Sequence, residues 1–271
     1  ARHHFSFANY HDPARVHWGA LRVWNDDKIA AGTGFPTHPH SDMEIITYVR
    51  SGAITHRDSM GNEGRTEAGD VQVMSAGNGV RHSEYNLEGE ETTLFQIWII
   101  PDERGGEPSW GARQFPKDDR NGAFVPLASG VANDNDALKI RADARVLGAT
   151  IKAGESVTYT PRSADRHLYL VPATGKIRID DVEANARDGV AITALASVTI
   201  TALEDSEVVL VDAAVAVQGF PAALPGVWPA VLPAGQDEDV VRLHAGVSRG
   251  TVSAQGVPLR STISLAKATK A

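Results

Sequence analysis

The sequence predicts an all-β protein built as two barrels, and three observations carry that reading. Short apolar runs return at roughly 8–12-residue intervals and break at glycine turns such as Ser51-Gly52 and Gly69-Asp70. No long amphipathic helical stretch interrupts them. The two halves also echo each other. Tyr48-Val49-Arg50-Ser51-Gly52-Ala53-Ile54 lines up with Tyr169-Leu170-Val171-Pro172-Ala173 and Gly175-Lys176-Ile177, and Ala68-Gly69-Asp70-Val71 with Asp188-Gly189-Val190. That is the pattern of a diverged internal duplication.

Residues 1–31 open with a segment rich in aromatic residues and histidine, His3 to Tyr10, in which His3 and His4 read as packing residues. Leu21–Asn25 alternates as a short strand, and Asn25-Asp26-Asp27 reads as the turn that ends it. Strands follow at Met43–Arg50, Ala53–Asp58, Val71–Met74 and Leu94–Ile100, with Asp58–Asn62 as a loop. Phe35, Met74, Phe95, Ile97 and Trp98 are the expected filling of the first barrel. Residues 101–137 carry Pro101, Pro108, Pro116 and Pro126 and predict a surface connection with a short helical turn. Strands resume from Leu138 to Val211. The expected domains are 1–120, 121–214 and a Pro-rich extension at 215–271 to which no role attaches.

Composition narrows the chemistry. The chain has 271 residues, 42% hydrophobic, enough for a large buried core. Its formal net charge of −8 repels phosphate backbones, so nucleic acid is not an expected direct partner. No run approaches the ~18 apolar residues of a membrane span. There is no cysteine, so disulfides, thiolate ligands and cysteine nucleophiles are excluded and the expected compartment is the cytoplasm. Any metal must be held by imidazole and carboxylate.

Those groups are concentrated between Gly32 and Asn86. His38 with His40, and His82 with Glu84, are pairs two residues apart, and on an extended chain such pairs share a face. The two pairs therefore predict a site of three histidines and one carboxylate inside one barrel. Glu44 has the same parity as His38 and His40, so alternation alone leaves it open as a ligand. Gly77 and Gly79 read as a turn that aims His82 inward. His56 is read as a non-ligand, and Asp58 and Arg81 as solvated or structural charges. The second copy, residues 121–214, has one histidine, His167, and no His-x-His, so it cannot repeat the site.

The phrases His4-Phe5-Ser6-Phe7-Ala8-Asn9-Tyr10, Gly34-Phe35-Pro36-Thr37-His38-Pro39-His40, Asp58-Ser59-Met60-Gly61-Asn62 and Gly79-Val80-Arg81-His82-Ser83-Glu84-Tyr85-Asn86 resemble the pirin family of the cupin superfamily. Bacterial pirin-like quercetin 2,3-dioxygenases look most similar, over about residues 3–213. The resemblance implies a bicupin: two jelly-roll-like barrels face to face, few short helices, and a metal only in the N-terminal barrel. Its ligands would be His38, His40, His82 and Glu84, with Glu84 favoured over Glu44. The expected metal is Fe²⁺, with Ni, Mn, Co, Cu and Zn as alternatives of suitable softness.

The activity implied is metal-dependent cleavage of a flavonol such as quercetin with O₂ and release of CO. Glu84 or Glu44 would accept the proton of the flavonol 3-hydroxyl. The alternative the resemblance carries is a redox-sensitive, metal-bearing regulatory protein that binds a protein partner without physiological enzyme activity. A monomer is expected in either case.

Overall fold

The computed structural model describes residues 1–216, 262–267 and 269–270. In chain order its first half runs β1 (Arg2–His3), β2 (Leu21–Ile29), β3 (Gly34–His40), β4 (Glu44–Ser51) and β5 (Ala53–Asp58). It continues through β6 (Glu63–Glu67), β7 (Val71–Ser75), β8 (Val80–Tyr85), β9 (Thr92–Ile99) and β10 (Ser109–Arg113). After a single turn of 3₁₀ helix at Asp118–Arg120 come β11 (Val125–Ser129), β12 (Leu138–Lys139), β13 (Ala144–Ile151), β14 (Ser156–Tyr159) and β15 (His167–Thr174). Then follow β16 (Lys176–Ile179), β17 (Val182–Asn185), β18 (Asp188–Thr193), β19 (Val198–Ala202) and β20 (Ser206–Ala213). Two further strands are β21 (Thr262–Lys267) and β22 (Thr269–Lys270).

Each half packs a seven-stranded sheet on a four-stranded one. The first half orders its sheets β10-β7-β4-β9-β2-β1-β22 and β3-β8-β5-β6. The second orders them β12-β11-β13-β20-β15-β18-β21 and β14-β19-β16-β17. The runs β7-β4-β9-β2 and β18-β15-β20-β13 correspond strand for strand, as do the two small sheets. The internal duplication is therefore real in topology, and the fold is the cupin-type two-domain architecture expected. The extension at 215–271 falls mostly outside the described residues. Its backbone at β21 pairs with β18 of one large sheet, and at β22 with β1 of the other.

The two large sheets face each other across one shared apolar layer. Trp24, Ile46, Phe95 and Ile97 from the first half meet Leu127, Val146, Tyr169 and Val211 from the second. Alternation along each strand decides what goes where. On β9, Phe95 and Ile97 point into this layer, while Leu94 and Trp98 point into the first barrel. Met74 and Trp98 do fill that barrel and Phe35 packs at its end, but Phe95 and Ile97 belong to the inter-sheet core.

The turn expected at Asn25-Asp26-Asp27 is instead the middle of β2, with all three residues buried. Tertiary partners override the local signal. Asp26 accepts from Arg50 on β4 and from Arg187 of the second half, and Asn25 Oδ1 lies 2.7 Å from His3 Nδ1. Burial pushes the Asp27 carboxyl up to about 7, which lets it sit in the interior uncharged below neutral pH. A second weld crosses the same interface. Fully buried Arg120 donates to the Tyr48 hydroxyl at 3.0 Å and to Glu207 at 3.3 Å, and Lys117 reaches Glu207 at 2.7 Å. Among the described residues no helix is long and apolar enough to cross a membrane.

Candidate metal centre

The centre is built on the edge of the small sheet of the first half. Among the described residues β3 is an edge strand paired only with β8, and an edge is where Pro36 and Pro39 can sit without removing a ladder hydrogen bond. Register places His38 opposite His82 and His40 opposite Val80. Alternation on β8 sends Val80, His82 and Glu84 inward. The turn before β8 needs Gly77: its φ is +50°, and a Cβ there would collide with the Gly106 carbonyl.

One ligand nitrogen from each of His38, His40 and His82 lies within 4.8 Å of the others. The ring centroids are 4.7 Å apart for His38–His40, 4.4 Å for His38–His82 and 5.0 Å for His40–His82. Two nitrogens, His38 Nε2 and His82 Nε2, are 2.9 Å apart. His38 Nδ1 lies 2.7 Å from the Pro36 carbonyl. A carbonyl only accepts, so Nδ1 carries the proton and Nε2 presents its lone pair to the cluster.

Burial holds all three rings neutral. It lowers His40 to about 3 and lowers His38 and His82 as well, with the neighbouring imidazoles pressing His40 and His82 further down. Three neutral imidazoles converging on one point fit a divalent transition metal as ligands.

Glu84, on the same face of β8 as His82, lies outside this group of three and is fully buried in a cradle of neutral donors. Its Oε1 accepts from Thr47 Oγ1 at 3.1 Å and Gln72 Nε2 at 2.5 Å, and its Oε2 from Gln96 Nε2 at 2.6 Å. Burial nevertheless outweighs these bonds and pushes the carboxyl up to about 7. A carboxylate offers about four lone-pair directions, so one on Oε2 is left for a further partner.

Two family models match the chain: the model described as Pirin covers residues 1–99, and that of the quercetinase C-terminal cupin domain covers residues 127–213. The chain belongs to the pirin family. A pirin-like protein of Caulobacter vibrioides is 67% identical over 214 residues, spanning 79% of this chain and 92% of that protein. A protein of Escherichia coli K12 named quercetin 2,3-dioxygenase is 44% identical over 212 residues, spanning 78% and 89%. A crystal structure of a bacterial pirin from Escherichia coli in complex with nickel(II) superposes with a TM-score of 0.73. Its sequence is 41% identical, and the match covers 78% of this chain and 90% of that one.

Glu44 does not reach the cluster. The alternation that tied it to His38 and His40 is broken between the two strands by Asp42, whose φ is +50°. On β4 the Glu44 side chain faces away from the barrel interior and accepts from Ser75 Oγ at 2.5 Å. His3 and His4 are buried on Asn25 and on the Tyr169 hydroxyl, far along the chain from the site strands. His56 stands behind His82, and Asp58 is no solvated charge, since its side chain is inaccessible and held against His56.

The cradle residues Thr47, Gln72 and Gln96 were not singled out from the sequence. Their signal was there: each is a polar residue next to apolar ones on the inward face of its strand. Against His40 lies a cleft of about 530 Å³ lined by Pro39, His40, Ser41, Ser59, Gly79, Val80 and Arg81. Trp98 closes the side of His40 edge-on, with ring centroids 4.9 Å apart.

Proposed function

We propose that the chain is a metal-dependent dioxygenase of the pirin type, which cleaves a flavonol such as quercetin with O₂ and releases CO. The observation that carries this reading is the convergence of His38, His40 and His82, one of which, His40, also lines an open cleft. In this reading residues 1–120 form the catalytic domain, residues 121–214 a barrel without a site. His38, His40, His82 and Glu84 would hold the metal, with Fe²⁺ as the proposed ion. When bound, such a metal supplies Lewis acidity to an enolic hydroxyl and a redox partner for O₂.

The protein's own groups have separate tasks. The three histidines, kept neutral by burial, offer lone pairs rather than protons. Glu84 is also the proposed base: when detached from the metal, with its carboxyl raised to about 7, its one remaining lone pair would take the proton of the substrate 3-hydroxyl near neutral pH. Gln72, Gln96 and Thr47 fix which way its remaining lone pair faces. Arg81 puts a cation on the rim of the cleft, near enough to add to the lowering of His38, and complements the negative charge of an ionised flavonol. Pro39 and Val80 give the aromatic substrate an apolar wall, with Trp98 packed behind His40.

The reading is tested by oxygen uptake. Adding quercetin to metal-loaded protein should start O₂ consumption, with loss of the flavonol absorbance and appearance of CO. Metal-loaded protein that consumes no O₂ with any flavonol would falsify the proposed reaction.

A further inference from the structure

A buried acid–imidazole pair stands behind the candidate centre. Asp58 Oδ2 lies 3.0 Å from His56 Nε2, and the two side chains are 0% and 1% exposed. The carboxylate is fixed from its other sides by the Met60 and Asn62 backbone N–H groups at 2.9 and 3.0 Å and by Asn62 Nδ2 at 2.9 Å. An ionised carboxylate only accepts, so His56 Nε2 carries the proton and His56 Nδ1 presents a lone pair. That Nδ1 faces His82 Nδ1 across 3.5 Å.

The His56 ring cannot turn away. It lies flat on Trp110, with centroids 4.9 Å apart and planes 9° apart. Trp110 in turn occupies the space left by Gly64, where a Cβ would collide with the indole.

His38 and His82 solve the same problem differently. A neutral imidazole gives its Nε2 lone pair to a metal only when Nδ1 bears the proton, and a buried N–H needs an acceptor. His38 has the Pro36 carbonyl. His82 Nδ1 has His56, whose own protonated nitrogen is chosen by Asp58.

We propose that Asp58 and His56 are positioning residues for a metal ligand, a two-step relay that, once a metal replaces the His38 Nε2–His82 Nε2 contact, holds His82 as the Nδ1–H tautomer with Nε2 turned to the metal. The proposal rests on the metal-centre reading above. The 3.5 Å gap closes on loading, since hydrogen bonds that are long in a ligand-free site tighten in the working complex.

Zn²⁺ is the probe, because it is diamagnetic and imidazole suits it. Its affinity would be measured by competition with a chromophoric chelator for wild type, His56→Leu and His56→Asn. Leucine keeps the bulk and removes the acceptor; asparagine restores an oxygen near the place of Nδ1. His56→Leu should bind about tenfold or more weakly, the range found for such outer partners, and His56→Asn should recover most of the loss.

In Zn²⁺-loaded wild type, ¹⁵N NMR of the histidine rings should show His82 protonated at Nδ1 in a hydrogen bond slow to exchange. Equal Zn²⁺ binding by His56→Leu overturns the relay and leaves the metal centre standing. A loaded His82 ring protonated at Nε2 also overturns the relay, and this outcome does not depend on any variant folding. Wild type that binds no Zn²⁺ overturns the metal-centre reading and the relay with it.

Discussion

The two barrels have one topology and opposite interiors. The second is filled by a single continuous apolar cluster running through Leu147, Leu170, Ile177, Val190, Ile200 and Leu210. The first has its apolar residues split into two smaller groups, one around Met43, Met74 and Trp98 and one around Ile29, Val49 and Leu94. Between them runs a polar band of Thr47, Gln72, Glu84 and Gln96, with the histidines at one edge.

The matching strand pairs make the contrast sharp. β3 and β8 carry His38, His82 and Glu84, while β14 and β19 carry Val157, Tyr159, Val198 and Ile200 in their barrel. The same scaffold therefore serves packing in one copy and chemistry in the other. The site barrel forgoes apolar burial that its twin keeps.

The largest expected effect strikes the twin. Ile200→Ala removes a fully buried side chain from the continuous core and should cost about 2–5 kcal/mol in chemical denaturation. Metal affinity should not change by more than twofold. A comparable loss of affinity would mean that the two interiors are not separate in function.

Glu84→Gln probes the polar band in metal-free protein. A carboxyl raised from 4.5 to about 7 binds its proton in the fold at pH values where the unfolded chain has released it. Its contribution is therefore most favourable below pH 4.5 and is lost as pH rises through about 7, by about 3 kcal/mol in all. The variant lacks this loss. A flip of the Gln96 amide, whose Oε1 has no partner in the described residues, accommodates the new N–H. The stability difference between variant and wild type should grow in the variant's favour from pH 5 to pH 8. A flat difference across that range would contradict the burial account of Glu84.

Gln72→Leu takes one donor from the cradle. With one hydrogen bond fewer to its charged form, the Glu84 carboxyl should titrate higher still. The pH limb of flavonol turnover assigned to Glu84 should shift upward, at a stability cost of about 1–3 kcal/mol. An unmoved limb would separate Glu84 from that titration.

The smallest effect belongs to His167, the lone histidine of residues 121–214. It packs edge-on against Trp18, with centroids 5.2 Å apart, away from the cluster. His167→Ala should leave metal stoichiometry and affinity unchanged, and a measurable loss would place a ligand in the wrong barrel.

Much of this contrast was legible in the sequence because strand geometry is local. Spacing of two residues put His38 with His40 and His82 with Glu84 on common faces. The repeated Tyr–turn–Ile phrase, and Gly69-Asp70-Val71 echoed by Asp188-Gly189-Val190, exposed the duplication. What escaped depends on partners distant in the chain. Asn25-Asp26-Asp27 reads as a turn until Arg50 and Arg187 arrive to cover Asp26, the second from 161 residues away. Glu44 keeps the parity of the histidines on paper, but the left-handed backbone at Asp42 resets the count. Phe95 and Ile97 differ from Trp98 only in parity, and which face is the barrel's depends on a second sheet that no local window contains. Asp58 looked like a loop charge because its partner His56 is on the inward face of β5, a face known only once β5 is paired with β8.

The central claim is that His38, His40 and His82 make one metal site and that the second barrel makes none. Metal content, measured by elemental analysis on protein purified without chelators, tests it most directly in wild type and in His82→Ala. The account predicts close to one equivalent of a transition metal per chain in wild type, and less than about a tenth of that in the variant, a ligand loss exceeding the tenfold to hundredfold cost of an outer partner. Full occupancy in His82→Ala, or no metal in wild type, would contradict it.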